Sequence, residues 1–181
     1  MEKVVLHDKT FVPSISNEEI KEFIDKLADK INADYKGAED VPVILCILNG
    51  AIVFTGELMQ RLNFPCQLVS TKLTSYAGTT TNGDVRQTLP LSAPVKGKRV
   101  LIVEDIVDTG YTIRAMKKIL ADEGAVESKV CTMLFKPDSY RVDEKIDYVG
   151  KCIPNDFIVG FGLDYDELGR NLKDIYTLYT E

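Results

Sequence analysis

One stretch of this chain concentrates groups able to hold a phosphorylated sugar. Glu104-Asp105-Ile106-Val107-Asp108-Thr109-Gly110-Tyr111-Thr112 sets an adjacent carboxylate pair, a third carboxylate and a Thr-Gly-Tyr-Thr run in immediate succession. Paired carboxylates accept hydrogen bonds from vicinal hydroxyls such as those of a ribose. A threonine and glycine loop that opens a helix offers unpaired backbone N–H groups and the positive end of the helix dipole, which favour a phosphate. Gly110 lets the backbone approach an anion closely, and Thr109 and Thr112 add hydroxyl donors. Any one of these residues alone suits an acidic, solvated turn with a capping threonine. Together, directly after an apolar run, they describe a ribose phosphate held at a strand–loop–helix junction.

The elements that must position this junction follow from periodicity. Val100 to Val103 is apolar throughout, as is Val43 to Leu48, and such runs suit strands buried on both faces. Further strands are predicted over Gln67 to Leu73, Val130 to Phe135, Ile146 to Val149 and Phe157 to Val159. Ser16 followed by Glu19 has capping-box spacing, and Ile20, Phe23, Ile24, Leu27 and Ile31 recur at helical intervals, predicting a helix over about 17–34. A second helix is expected from after Asn49-Gly50 to about Leu62. A third carries Ile113, Met116 and Leu120 and ends at Gly124. Strands alternating with helices imply an α/β fold, a mostly parallel twisted sheet flanked by helices. Ligands in such sheets bind beyond the carboxyl ends of the strands, which is where the acidic run falls. The Gly, Thr, Ser and Asn-rich stretch from Thr74, with the polar residues to Pro94, is longer than an ordinary connection and reads as a lid loop over about 74–94.

Bulk properties narrow the possibilities. The 181 residues suit one domain, and 45% hydrophobic with 28% charged residues is ordinary for a globular protein. A net charge of −6 argues against nucleic-acid binding, which relies on dense Lys and Arg contacts to phosphates. The longest apolar run falls far short of the ~20 residues of a membrane helix, so no membrane partner is expected. The N-terminus lacks a signal-peptide pattern, and the dispersed cysteines Cys46, Cys66, Cys131 and Cys152 read as free thiols, so a cytoplasmic setting is expected. A single histidine and no paired thiolates argue against zinc.

The run from Val100 to Thr112 resembles the PRPP-binding signature (PRPP, 5-phosphoribosyl-1-pyrophosphate) of type I phosphoribosyltransferases. Leu48-Asn49-Gly50-Ala51, Ser75-Tyr76, Phe135-Lys136-Pro137 and Asp156 through Tyr165 with Arg170 narrow the resemblance to the hypoxanthine(-guanine) phosphoribosyltransferases, over roughly residues 40–179. The resemblance implies the type I fold, with a purine-binding hood from about 136–181 and the N-terminal segment. It implies transfer of the phosphoribosyl group of PRPP to N9 of a 6-oxopurine, giving IMP or GMP and pyrophosphate, with Mg2+ as cofactor and a homodimer or homotetramer as the assembly.

Residue by residue, the resemblance assigns Glu104 and Asp105 to the ribose hydroxyls, directly or through magnesium, and Asp108 to purine N7 as general base. Thr109, Gly110, Tyr111 and Thr112 would hold the 5′-phosphate. Lys136 would donate to the 6-oxo group, Phe157 would stack on the purine with Ile106 on its other face, and backbone near Ile158 and Leu163 would read its C2 edge. Asp164 would bind magnesium, while Asn49-Gly50 and Arg170 would hold pyrophosphate. Ser75-Tyr76 would sit in the lid. Taken alone, Phe157 reads as core, Lys136 as a solvated strand end and Arg170 as surface. This chain has Asn49 and Tyr111 where many relatives carry lysine, so positive charge is lower at both places.

Other readings account for less of the sequence. A PRPP-sensing regulator on the same fold would leave Asp108, Lys136, Asp164 and Arg170 without chemistry. A phosphorylated aspartate at a strand end would leave Thr109 to Thr112 and Lys136 unexplained. The choice among hypoxanthine, guanine and xanthine is left open by these residues, and adenine is disfavoured by Lys136.

Overall fold

The computed structural model describes residues 2–75 and 85–180. In chain order these form β1 (Val4–Leu6), β2 (Lys9–Ile15), α1 (Asn17–Tyr35), β3 (Val43–Leu48), α2 (Ile52–Met59), β4 (Gln67–Ser75), β5 (Val85–Leu89) and β6 (Arg99–Val107). There follow α3 (Tyr111–Asp122), β7 (Glu127–Phe135), a 3-10 turn (Pro137–Ser139), β8 (Tyr148–Cys152), β9 (Ile158–Val159) and β10 (Ile175–Leu178). The larger sheet has six strands in the order β5-β4-β3-β6-β7-β8, parallel throughout except for the β4–β5 pair. A smaller antiparallel sheet, β1-β2-β10-β9, joins the N-terminal and C-terminal segments into a hood. The α/β class, the mostly parallel sheet and the hood agree with expectation.

The period-two alternation of the central strands divides the core. Val43, Leu45, Val100, Ile102 and Val130 pack with Ile113, Met116 and Leu120 of α3. Ile44, Leu101, Val103, Cys131 and Met133 pack with Ile24, Leu27 and Ile31 of α1 and with Phe54 and Leu58 of α2. Each such aliphatic side chain contributes about 1.5–3 kcal/mol of burial free energy. The α1 start is as predicted: Ser16 Oγ accepts the Glu19 N–H at 3.2 Å, satisfying one orphan donor of the first turn.

Several boundaries differ from expectation. Strand β6 does not stop at Val103 but runs to Val107, because pairing with β7 continues through Ile106↔Leu134 and Val107↔Phe135. Glu104 and Asp105 are therefore strand residues rather than the start of a loop. Alternation slips across them, since Ile106 packs with the α1/α2 cluster and Val107 with the α3 cluster. Helix α2 ends at Met59, short of Leu62, and β8 begins at Tyr148 and extends to Cys152 rather than spanning 146–149. Phe157 lies outside β9 and is 45% exposed. Within the stretch read as a lid, Val85–Leu89 forms a strand antiparallel to β4, with Thr74↔Arg86 and Ser75↔Val85 in register. Tyr76, Gly78 and Gly83 lie outside the described residues, as does the Ser75 side chain.

Candidate active site

The carboxyl ends of β3, β4 and β6 converge where the site was expected. Glu104, Ile106, Asp108, Thr109, Gly110, Tyr111 and Thr112 together line a cavity of about 270 Å³, joined by Val85, Val107 and Ile113. Helix α3 starts at Tyr111 with Gly110 as its N-cap at φ 85°, a left-handed conformation natural to glycine. With no side-chain cap on the first turn, the amide donors of the helix start are open to an anion.

A second cavity of about 490 Å³ is lined by Asn49, Gly50, Asp105, Asp164 and Arg170, with Lys72, Thr74 and Glu167 also on its wall. The β3–α2 turn approaches β6 so closely that a Cβ at Gly50 would overlap the Asp105 carboxylate, and the Leu48–Asn49 peptide is cis. A Cβ at Gly162, in the hood, would overlap the Gly50 carbonyl. Glycines at both places allow the two backbones and the carboxylate to share one spot.

Burial sets the electrostatics. Glu104 and Asp105 are each 8% exposed. Burial, reinforced by the neighbouring Asp105 charge, pushes the Glu104 carboxyl well above its ordinary value. Burial also pushes Asp105 up, opposed by hydrogen bonding and by the Arg170 charge. Asp105 Oδ1 accepts the Ile106 N–H at 2.8 Å, whereas Glu104 Oε2 has no hydrogen-bond partner among the described residues. A buried carboxylate oxygen without a donor is costly unless a ligand or ion completes it.

Lys136 is 8% exposed, with Nζ 3.6 Å from Asp108 Oδ2, and its N–H donates to the Val107 carbonyl at 2.9 Å. It is not a solvated strand end. Phe157 presents an open ring at the hood, packed edge-on to Tyr165 at 5.8 Å and tilted to Phe11 at 6.2 Å. Ile158 lies in β9, an edge strand of the hood sheet, 8% exposed, and Leu163 is 7% exposed. Asp164 and Arg170, expected to serve magnesium and pyrophosphate separately, pair with each other at 2.8 Å. Arg170 also donates to the Gly162 carbonyl at 2.8 Å, and Asp164 Oδ2 accepts the Glu167 N–H at 2.8 Å.

Residues not singled out from the sequence also border the site: Lys72, Thr74, Val85 and Glu167. Lys72 and Thr74 follow the rule that carboxyl-terminal strand residues face the ligand, a signal that was present in β4. Among the described residues no helix is long and apolar enough to cross a membrane, and no group of three or more His, Cys, Asp or Glu is gathered around one point.

The sequence matches the family described as "Phosphoribosyl transferase domain" over residues 15–166. It is 40% identical over 168 residues to the hypoxanthine-guanine phosphoribosyltransferase of Lactococcus lactis, covering 92% of this chain and 90% of that one. It is 38% identical to the hypoxanthine phosphoribosyltransferase of Haemophilus influenzae, covering 87% and 89%. The structure superposes on a hypoxanthine phosphoribosyltransferase from Staphylococcus aureus with a TM-score of 0.86 at 34% identity, covering 92% and 90%. A hypoxanthine-guanine phosphoribosyltransferase from Bacillus anthracis gives 0.87 at 33%, covering 92% and 98%.

Proposed function

The chain belongs to the phosphoribosyl transferase domain family, alongside the hypoxanthine-guanine phosphoribosyltransferases, and on that premise we propose that it converts PRPP and a 6-oxopurine to a purine nucleoside 5′-monophosphate and pyrophosphate. The observation that carries this reading is the β6–α3 junction, where the buried Glu104–Asp105 pair opens onto an uncapped helix start.

In this reading the Thr109 to Thr112 amides and hydroxyls take the 5′-phosphate in the smaller cavity, and Glu104 and Asp105 take the ribose hydroxyls. Asn49-Gly50 and Arg170 hold pyrophosphate in the larger cavity. For pyrophosphate to be held there, Arg170 shares or releases Asp164, a switch its planar fork of donors permits. Asp108 and Lys136 stand 3.6 Å apart, a spacing that suits two neighbouring purine atoms, N7 and O6, which share one edge of the base. Lys136 is donor-only and selects a keto group, while Asp108 manages the N7 proton as N9 attacks C1′. Phe157 and Ile106 cover the purine faces, and backbone near Ile158 and Leu163 reads the C2 edge. Closure of the lid that includes Ser75-Tyr76 would keep water from a cationic sugar.

Magnesium fits the donor set: the carboxylates of Glu104, Asp105 and Asp164 are hard oxygen donors, and Glu104 Oε2 is unsatisfied. Held by one or two of them and by substrate oxygens, it would neutralise charge on the leaving pyrophosphate. Assembly as a homodimer or homotetramer is supported by an exposed apolar groove lined by Ile52, Met59 and Leu68, and light scattering after size exclusion tests it.

The decisive assay offers PRPP with hypoxanthine, guanine, xanthine and adenine in turn, with and without magnesium. Magnesium-dependent turnover of a 6-oxopurine but not of adenine is expected. No turnover with any base would overturn the reading.

A further inference from the structure

The segment that leaves Lys136 passes directly behind the phosphate cavity. After the 3-10 turn Pro137–Ser139, the Arg141 N–H donates to the Thr109 carbonyl at 3.0 Å. Gly110 has no room on this side: a Cβ there would overlap the Tyr140 ring and Val142 Cγ2. The Tyr140 ring is itself fixed, edge-on to Phe135 at 5.3 Å, with its hydroxyl donating to the Glu144 carbonyl. Glu144 pairs with Lys117 of α3 at 3.0 Å, so the segment is tied to the helix whose first turn faces the phosphate. At its other end Lys136 is tied to Val107 at 2.9 Å, and Ser139 Oγ donates to Asn155 Oδ1 at 2.7 Å.

Of the residues in this segment, Ser139, Tyr140, Arg141, Val142 and Glu144 line neither cavity and lie outside the matched motifs. They connect the two halves of the site: one end carries the lysine that faces Asp108, and the middle backs the glycine that shapes the anion loop. We propose that residues 137–144 are a strap that fixes the register between the purine-facing Lys136 and the phosphate loop, with Tyr140 as its positioning residue. The inference rests on the phosphoribosyl transfer reading and adds a residue to it. A ring filling the space behind Gly110 keeps the loop from relaxing backward, while its packing on Phe135 and the Tyr140 N–H bond to the Pro137 carbonyl at 3.3 Å keep Lys136, which lies between them, from moving independently. Because Lys136 and the phosphate loop each bind a substrate, letting one shift against the other weakens both sets of binding contacts.

The test is steady-state kinetics on Tyr140→Ala and Tyr140→Phe beside the wild type, with urea midpoints for each. Tyr140→Ala should raise KM for PRPP and for the base together by about tenfold, with kcat at saturation changed less, and Tyr140→Phe, which keeps the ring, should stay within about twofold of wild type. A merely structural role would lower the urea midpoint without moving both KM values. Unchanged KM values in Tyr140→Ala, or a rise for one substrate alone, would refute the strap while leaving the proposed reaction standing. Absence of turnover in the wild type would sink the reaction and the strap with it. Should Tyr140→Ala not fold, Val142→Ala decides by the same double rise.

Discussion

The two halves of β6 share one hydrogen-bonded ladder with β7 and do opposite work. Val100, Leu101, Ile102 and Val103 are apolar and 0% exposed, clamped between α3 on one face and α1 with α2 on the other. Glu104 and Asp105, next along the same strand, are almost as buried yet carry carboxyls that burial forces away from their charged form. The backbone differs too: the first half pairs with β3 as well as β7, whereas the second pairs with β7 alone and Asp105 falls outside the register. The first half stabilises the fold and the second is carried by it, holding an unsatisfied oxygen ready for a ligand. Active sites commonly trade stability for such readiness.

That contrast can be attacked from both ends. The largest effect is expected beyond the acidic half, where Asp108→Asn should lower kcat by about 10²–10⁴-fold and leave the urea midpoint unchanged, since the residue is exposed. Turnover within tenfold of wild type would move the general-base role elsewhere. In the apolar half, Leu101→Ala should cost about 2–5 kcal/mol in urea unfolding while activity per folded molecule is retained. An equal loss of kcat would erase the division of labour.

Glu104→Gln should do the reverse, weakening PRPP binding yet stabilising the chain by about 1 kcal/mol at neutral pH. The sign follows from the shift: the folded state keeps a proton that the unfolded chain releases near its ordinary value of 4.5. Folding support from that proton is full below 4.5 and fades as pH rises through the raised folded value. Urea midpoints measured from acid to neutrality should therefore fall more steeply for the wild type than for the variant, and parallel curves would contradict the assignment. The smallest effect belongs at the start of β6, where Arg99 pairs with Asp40 through Nε at 2.9 Å and Nη2 at 2.5 Å. Asp40→Asn should cost less than about 1 kcal/mol and leave kinetics untouched, as exposed ion pairs do.

The sequence was most legible where local and global preferences coincide. Apolar runs such as Val43–Leu48 and the Ser16-capped α1 appear almost as read, because propensity, periodicity and burial agree there. The strand β6 was read too short because Glu and Asp are poor strand formers, and pairing of Glu104 with Thr132 and of Ile106 with Leu134 on β7 carries the strand across them. Strand β5 was hidden in a polar stretch whose extension comes from the neighbouring edge of β4. Most of the motif residues of the β6–α3 junction line one cavity, as their adjacency in sequence suggests. The Asp164–Arg170 pair and the Tyr140 contact behind Gly110 were invisible, since each depends on chain segments meeting in space with no spacing rule to announce them.

The touching backbones at Gly50 and Gly162 have a practical corollary for anyone recombining this molecule. Because no side chain intervenes there, the hood and the β3–α2 turn form a matched joint, like a key cut for one lock. A chimaera that grafts another protein's C-terminal segment onto this core in order to alter base choice must keep glycine at the place of Gly162, or the graft will seat away from the Asn49-Gly50 turn.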